Sequence, residues 1–418
     1  MGVSRRIYFI PRYIGALKYY EKLFPAIRER GFEPMFLFFE DSGMIEYCHA
    51  RSIPCDTRFI QRGVHIPFYS PLVHEAKLQT LLEAFLNEHP YALVTEPGVD
   101  QRTRSLFKRA KEYAVKRYAL QWALHTDPRK PVKRSPYSRY LEIRRRYGSF
   151  LRTPFVAGYY LLLRALFWVA DFFHGGDVYV HLHHYAEKLG TIDNTLREYF
   201  VWSGWRDDQI QVVGFADYSL INNEIRSLEE DAVRREALCR RYILDERRKR
   251  ILVISNPFYT GRNAVYLDEE GQRAYFRHIF DDIRSVYPER EADILFKVHP
   301  REDVAMYAEF TQHGIRVYGN ESNLNELIAL SSLYIAHPLT AANFIIRGSG
   351  KPAIFLNFTP LDYFDEGKEL YKLRTIFKTH DAFREALADF KNGVLPLQYD
   401  TEGIDTNSLG KIVKFVTT

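Results

Sequence analysis

The chain has 418 residues, more than one hydrophobic core usually organises, so we expect two domains. Hydrophobic residues make up 46% of the sequence and charged residues 27%, which excludes an intrinsically disordered chain. The formal net charge of +5 is too small for nucleic acid to bind along the whole surface.

The cysteines and the amino terminus indicate the compartment. Cys48, Cys55 and Cys239 have no spacing typical of a metal site, and the first residues contain no apolar run of signal-peptide length. These features predict a cytoplasmic protein with reduced thiols.

In the first half of the chain, apolar runs alternate with segments of helical periodicity, a pattern typical of a parallel sheet wrapped by helices. The segment between the first two runs has apolar residues at intervals of three and four and stops at Gly31, as a helix does. Strands are predicted at 6–11, 34–40, 91–97, 117–124, 177–183 and 209–217.

The segment 128–175 does not follow this alternation. Its first part, 129–146, contains eight Lys or Arg residues and one Glu, and the run 155–173 is apolar and aromatic. Two internal charges disfavour a membrane-spanning helix, whereas aromatic residues beside cations favour a helix in the interface of an anionic membrane. A buried helix capped by a solvated basic loop is the alternative, and no nucleic-acid motif accompanies the cations.

A charged segment at 227–250 begins a second unit, which is joined to the first near 217–227. The runs that follow are separated by about the ten or more residues that a crossover between parallel strands requires. We therefore predict two Rossmann-like domains, at 1–220 and 221–418, with 128–175 as an insert in the first. Strands of the second domain are predicted at 250–257, 292–300, 314–320, 333–338 and 352–358.

Two of these strands end on a His-Pro pair, in FKVHPRED (296–303) and in YIAHPLT (334–340). Proline is confined to strand starts, edges and bulges, so each pair places an imidazole where a strand stops. Open α/β sheets bind their ligands at such strand ends. Lys297, His299 and Arg301 alternate along the first segment, and we predict that they clamp a phosphate or diphosphate as three cations.

The second pair, at His337, precedes a predicted helix that Gly348 and Gly350 terminate. Thr340 is predicted to cap this helix, and the backbone N–H groups of 340–343 lie at its positive end, which favours an anion. The predicted donor-binding residues are Ser255, Asn256, Lys297, His299, Arg301, His337, Thr340, Ala341 and Asn343.

The order of a KxHP strand end, NELIALSSLYIxxxxT and GKPxIF resembles the C-terminal domain of GT-B glycosyltransferases. It is most similar to the group that contains CDP-glycerol glycerophosphotransferases and bacterial sialyl-, polysialyl- and Kdo-type transferases. The opening IYFIPRYIGALKYYEKLFPAIRERGFEPMFLFFED and the later DDQIQVVGFADYS are similar to N-terminal segments of the same fold. The resemblance implies an α/β GT-B fold, in which two Rossmann-like domains with parallel sheets face a central cleft.

The resemblance also implies a function. It implies a bacterial enzyme of lipopolysaccharide or capsule synthesis, peripheral at the inner face of the cytoplasmic membrane. Such an enzyme moves a sugar, with a CMP-linked acid sugar favoured, from a nucleotide donor to a lipid-linked or polysaccharide acceptor. The alternatives are a CDP-alditol polyol-phosphate transferase, a nucleotide-sugar 2-epimerase and a non-catalytic sugar-nucleotide-binding protein. An epimerase would have no need for a membrane-seeking segment such as 128–175.

Transfer to a hydroxyl requires a base and a positive environment for the departing phosphate. No Asp-x-Asp follows a strand convincingly, so the sequence predicts neither a metal nor another cofactor. The histidines of HLHH (181–184) have no partner cysteine or carboxylate and are interpreted as structural. With His299, the predicted catalytic residues are Asp41, Glu96, Asp100 and His125 at strand-end loops, and Asp41 and Glu96 are preferred as the base.

The insert generates a prediction about membranes. If 129–173 lies at a membrane surface, the protein should co-sediment with anionic liposomes, bind neutral ones less and be partly released by salt. Replacing the arginines at 144–146 by glutamate should weaken binding without unfolding the chain, since each cation contributes about 1 kcal/mol. Replacing Phe167 and Trp168 by serine tests the buried alternative, because lost thermal stability with unchanged liposome binding would contradict the membrane interpretation.

Overall fold

The computed structural model describes residues 5–39, 43–61, 71–98, 101–122, 182–258, 267–360 and 366–418. These residues form two compact units, and the chain passes from the first to the second after residue 216. The predicted insert 128–175 and the candidate residues Asp41, Asp100 and His125 lie outside the described ranges.

The strands, in chain order, are β1 (Arg6–Ile10), β2 (Glu33–Leu37), β3 (Cys55–Asp56), β4 (Ala92–Thr95), β5 (Lys116–Leu120), β6 (Lys188–Thr191), β7 (Ile210–Val212), β8 (Lys249–Ile254), β9 (Ala292–Lys297), β10 (Ile315–Tyr318), β11 (Leu333–Ala336) and β12 (Ala353–Phe355). Short 3-10 helices lie at Leu182–His184, Asp207–Gln209 and Val304–Tyr307.

The α-helices, in chain order, are α1 (Ile14–Glu21), α2 (Phe24–Glu29), α3 (Gly43–Ala50), α4 (Arg58–Gln61), α5 (Pro71–Leu86), α6 (Gln101–Ala110), α7 (Asn194–Trp202), α8 (Ala216–Glu230), α9 (Ala232–Arg241), α10 (Glu269–Val286), α11 (Ala308–Gln312), α12 (Leu324–Leu330), α13 (Ala342–Ser349), α14 (Glu366–Leu370), α15 (His380–Lys391) and α16 (Ser408–Thr417). None of the helices in the described ranges is long and apolar enough to cross a membrane.

The first unit is built on a parallel sheet with the strand order β3-β2-β1-β4-β5-β6-β7. The order reverses between β1 and β4, so loops leave the sheet to opposite sides at this point. In an open α/β sheet this switch point forms a crevice at the carboxyl ends of the strands.

Two strands of the first unit were not predicted: the two-residue β3 and the strand β6. A strand was expected at 177–183, but Leu182–His184 forms a 3-10 helix, and the next strand in the sheet is β6, with the sequence KLGT. Nothing in KLGT signals a strand, because Lys and Gly are depleted in strands. Tertiary packing requires glycine at position 190, because a Cβ there would lie 3.0 Å from the side chains of Leu120 and Val213.

The second unit contains the parallel sheet β10-β9-β8-β11-β12, and its five strands were all predicted. Every residue of β9 is buried, as expected for a parallel strand covered on both faces. The ring of Phe296 on β9 packs against the rings of Phe276 and Phe280 on α10, with centroid distances of 4.7 and 5.3 Å. This packing anchors the strand that carries the first His-Pro pair.

The last helix, α16, belongs to the first unit, which differs from the predicted second domain of 221–418. It packs closely against the turn that follows β7. Gly214 in this turn has a φ of +82°, and a Cβ there would lie 2.1 Å from Oγ of Ser408 on α16. The sheet on which this helix packs is set by contacts between residues distant in the chain, such as Gly214 and Ser408, which a local sequence pattern does not record.

Gly214→Ala should therefore destabilise the first unit by about 1–3 kcal/mol, since it combines a left-handed backbone with a clash at α16. The free energy of unfolding in urea measures this effect. Gly43→Ala is the matched control, because nothing lies within 4 Å of the added Cβ. Equal stability of the two variants would contradict this account of how α16 is attached.

Candidate functional site

Three predicted site residues lie at one edge of the sheet in the second unit. Ser255 follows β8, His299 comes two residues after β9, and His337 follows β11. Because β8 lies between β9 and β11 and all three are parallel, their carboxyl ends meet at this edge. The strand order reverses between β8 and β11, so this edge contains the switch point at which such sheets bind ligands.

The two His-Pro pairs adopt the same local hydrogen bonding. The backbone N–H of Arg301 donates to Nδ1 of His299 at 3.2 Å, and the backbone N–H of Leu339 donates to Nδ1 of His337 at 3.2 Å. A ring nitrogen that accepts a hydrogen bond carries no proton, so the proton of each neutral imidazole is on Nε2. Both histidines are therefore oriented as Nε2–H donors.

Both imidazoles are also neutral near pH 7. Burial lowers the pKa of His299 to about 4, and the charges of Arg301 and Lys297 act in the same direction. Burial alone lowers the pKa of His337, which is 4% exposed, to about 3. The prediction of a cationic His299 is therefore wrong, because a partly buried imidazole between two cations loses its proton well below neutrality.

The predicted clamp of three cations is not the arrangement found. Lys297 is buried, and its ammonium donates to the backbone carbonyl of Gly319 after β10. Arg301 is exposed, and a turn closed by the hydrogen bond from the N–H of Glu302 to the carbonyl of His299, 2.9 Å, interrupts the strand alternation. Lys297 thus stabilises the edge, while Arg301 remains available to a ligand.

Glu302 was not singled out from the sequence, yet it is the polar centre of this edge. One carboxylate oxygen accepts from the Ser255 hydroxyl and, at 3.2 Å, from the backbone N–H of His299. The other accepts from the amide of Gln272 at 2.8 Å and from the hydroxyl of Tyr307 at 2.6 Å. Burial raises the pKa of Glu302, and these hydrogen bonds oppose the rise. The only sequence signal that could have indicated this role is the position of Glu302, three residues after His299.

The loop after β8 is held between the two His-Pro pairs. The side chain of Gln272 accepts from the backbone N–H of Phe258 and donates to the backbone carbonyl of Asn256, each at 3.0 Å. The ring of Phe258 packs edge-on against the imidazole of His337, with a centroid distance of 5.1 Å. Asn256 therefore lies in a fixed loop beside His337.

The start of α13 differs in detail from its prediction. Ala341, which is exposed, precedes the helix and makes no side-chain cap, and Oγ1 of Thr340 accepts from the N–H of Ala342 at the long distance of 3.4 Å. The side-chain amide of Asn343 donates to the carbonyls of His337 and Pro338, at 3.1 and 2.9 Å. Asn343 is fully buried, so the structure gives it the role of holding the second His-Pro turn.

In the first unit, Glu96 follows β4 at the switch point and is 7% exposed. Its carboxylate accepts from the backbone N–H of Arg12 at 3.0 Å, which ties the loops after β1 and β4 together. An open pocket lies at the same strand ends, and its lining includes Arg12, Thr95, Gly98 and Arg102. The predicted base thus supports the wall of a pocket that two arginines help to line.

The segment 123–181 joins the described structure at this same edge. Trp122 comes two residues after β5, and its ring packs so closely on Gly15 that a Cβ there would lie 2.7 Å away. On the other side, the backbone N–H of Leu182 donates to the carbonyl of Pro97 at 3.2 Å. The residues on either side of the segment 123–181, which includes the predicted insert 128–175, are therefore close to the loops that follow β1 and β4.

Across the described ranges, no group of three or more His, Cys, Asp or Glu side chains is arranged to hold a metal ion. The imidazole of His183, one of the histidines interpreted as structural, packs against Gly204, where a Cβ would lie 3.4 Å from Nε2. Its neighbour His184 packs on it with a ring-centroid distance of 3.9 Å.

The low pKa of His337 should make stability depend on pH. Between about pH 6.5 and the folded value of about 3, the unfolded histidine is protonated and the folded one is not. The free energy of unfolding should therefore fall as the pH drops below about 6.5, by up to about 1.4 kcal/mol per pH unit from this group. His337→Gln should remove that contribution in urea unfolding at pH 5, 6 and 7, whereas the exposed His313→Gln should retain the wild-type slope. Identical slopes in all three proteins would contradict a buried, neutral His337.

No profile of a known protein family matches the chain, and no curated protein matches it. Among solved structures, UDP-GlcNAc 2-epimerase from Methanocaldococcus jannaschii is similar, with a TM-score of 0.59 and 12% identity over 99% of both chains. The Neisseria meningitidis UDP-GlcNAc 2-epimerase bound to UDP-GlcNAc has a TM-score of 0.56 and 11% identity, over 98% of this chain and 99% of that one.

The wall teichoic acid polymerase TagF has a TM-score of 0.53 and 11% identity, over 99% of this chain and 89% of that one. At such low identity these similarities concern the fold alone. They agree with the two parallel-sheet units described above and with the resemblance of the sequence motifs. The predicted fold is confirmed: the chain is an α/β protein with the GT-B fold.

Proposed function

We propose that the protein is a glycosyltransferase that moves a sugar from a nucleotide-activated donor to a lipid-linked or polysaccharide acceptor. The observation that carries the proposal is the pair of neutral imidazoles, His299 and His337, on either side of the loop after β8. Two oriented Nε2–H donors at a switch point suit the oxygens of a nucleotide phosphate.

The chemistry follows from the protonation states. When the bond between the sugar and the phosphate breaks, negative charge develops on the departing phosphate oxygens. Donors that are already oriented stabilise this charge without rearranging during the reaction. The Nε2–H groups of His299 and His337 serve as these donors, and the exposed Arg301 contributes positive charge. No metal is part of this proposal, because the donors and the guanidinium perform its task.

The acceptor is assigned to the edge of the first unit. A hydroxyl acceptor must lose its proton to a base, for which Glu96, Asp41, Asp100 and His125 are the candidates, with Asp41 and Glu96 preferred. The insert attaches next to the loops that follow β1 and β4, which supports an acceptor presented at a membrane surface. We place the enzyme at the inner face of the cytoplasmic membrane, where lipopolysaccharide or capsule precursors are built.

The donor is proposed to carry a pyrimidine nucleotide, of which a CMP-linked acid sugar is one form and a CDP-alditol another. A nucleotide-sugar 2-epimerase is a second candidate, favoured by the similarity to UDP-GlcNAc 2-epimerases. The two candidates differ in chemistry, since an epimerase inverts a centre of the sugar without an acceptor. Nucleotide release that increases with added glycan acceptor supports transfer, whereas a new nucleotide-sugar epimer formed without acceptor supports the second candidate.

Binding and mutagenesis test the donor site. With EDTA present, CMP, CDP or UDP should raise the melting temperature more than GDP does, and a hundredfold excess over Kd adds about 2.7 kcal/mol of stability. His299→Ala should lower the rate of transfer by about 10²–10³-fold, because one oriented donor is lost. His313→Ala is the exposed control and should retain the wild-type rate.

Two results would contradict the proposal. Normal turnover of His299→Ala would remove this imidazole from the reaction. Activity that EDTA abolishes and only Mg²⁺ or Mn²⁺ restores would show that the transfer uses a metal.

A further inference from the structure

Glu302 is a carboxylate that the fold buries although no cation bonds to it in the described structure. It is 7% exposed, and four neutral donors bond to it: the Ser255 hydroxyl, the His299 backbone N–H, the Gln272 amide and the Tyr307 hydroxyl. A buried carboxylate costs several kcal/mol of desolvation unless its oxygens are satisfied. An apolar residue would fill the same space at a smaller cost, so the arrangement calls for a reason beyond packing.

The donors show what the carboxylate holds. Gln272 on α10 and Tyr307 on the following 3-10 helix bind one oxygen and anchor it to the body of the second unit. The other oxygen accepts hydrogen bonds from the Ser255 hydroxyl and from the N–H of His299. Both residues lie just after strands of the candidate donor site. Glu302 thus connects a rigid framework to the two loops that must be placed accurately.

The turn between His299 and Glu302 is closed in both directions. The N–H of Glu302 donates to the carbonyl of His299 at 2.9 Å, and the carboxylate of Glu302 accepts from the N–H of His299 at 3.2 Å. Within this turn, the N–H of Arg301 reaches Nδ1 of the imidazole. The direction of the Nε2–H bond therefore depends on the turn, and the turn depends on the carboxylate.

The same network assigns a role to Ser255. Its single hydroxyl proton is donated to Glu302, and its Oγ accepts from the N–H of His299 at 2.8 Å. The hydroxyl proton is thus engaged inside the protein and is not offered to a ligand. Ser255 supports the position of His299, whereas the sequence pattern predicted that it binds the donor directly.

We propose that Glu302 is a positioning residue of the donor site, which acts through Ser255 and His299 to aim the Nε2–H of His299 at a nucleotide phosphate. This inference rests on the proposed function for its ligand, a nucleoside diphosphate or monophosphate. It does not make Glu302 a base, since the carboxylate lies beneath the edge with both oxygens in use.

The test combines variants with and without His299. Glu302→Gln should weaken binding of CDP or UDP, measured by calorimetry, about tenfold, the size expected for one misplaced hydrogen bond. In a His299→Ala background the same substitution should have no further effect, because there is no imidazole left to aim. An equal loss in both backgrounds would show a purely structural role and overturn the inference.

A matched control is Glu309→Gln, which removes a surface carboxylate that pairs with Arg277 and should leave nucleotide affinity unchanged. If Glu302→Gln does not fold, Ser255→Ala removes one donor from the same network while leaving the carboxylate with three. It should weaken binding less than tenfold, and this loss should also vanish in the His299→Ala background. A loss that persists there contradicts the inference in the same way.

A second readout does not depend on the ligand. In nitrogen-15 NMR spectra of the histidine side chains, His299 of the wild type should remain in the neutral Nε2–H form from pH 8 down to pH 5. In Glu302→Gln the loosened turn should weaken the bond from the N–H of Arg301 to Nδ1, so His299 should also populate the Nδ1–H tautomer at pH 8. An unchanged Nε2–H tautomer in Glu302→Gln would overturn the inference even if no nucleotide binds the wild type, an outcome that concerns the proposed function instead.

Discussion

The reciprocal hydrogen bonds between His299 and Glu302 are the interaction on which the carboxyl edge of the sheet in the second unit depends. A strand that ends in the open would leave its last N–H and C=O groups to water and its side chains free to rotate. Here the chain turns back at Pro300, and the carboxylate of Glu302 accepts from the backbone N–H of His299. The turn holds the end of the strand in place, and it thereby sets the orientation of the His299 imidazole.

The second His-Pro turn reaches a similar result by other means. The carbonyls of His337 and Pro338 are held by the amide of Asn343, a residue of the helix that follows. His337 is also more deeply buried than His299. Two unrelated supports therefore produce the same Nε2–H tautomer at neighbouring strand ends. Neutral donors suit a site for phosphate because they bind the anion without a buried positive charge in the empty state.

In the first unit, too, side chains at the end of one strand hold the loop that follows a neighbouring strand. Glu96 accepts the N–H of Arg12, and the hydroxyl of Thr95 donates to the carbonyl of Ile10 at 2.9 Å. Side chains at the end of β4 thus fix the loop after β1, beside a pocket lined by two arginines. The residues on either side of the segment 123–181, Trp122 and Leu182, also contact this edge.

The sequence by itself determined the parallel α/β architecture, the five strands of the second unit and the two His-Pro strand ends, because apolar periodicity and proline placement are local properties. It did not reveal β6, whose glycine is dictated by side chains of β5 and of the segment after β7. Only the tertiary structure decided that His299 is neutral and that the ammonium of Lys297 donates to the carbonyl of Gly319. It also decided that Glu302 joins the hydrogen bonds at this edge of the sheet. Burial and hydrogen-bond partners depend on residues distant in the chain, and no local pattern records them.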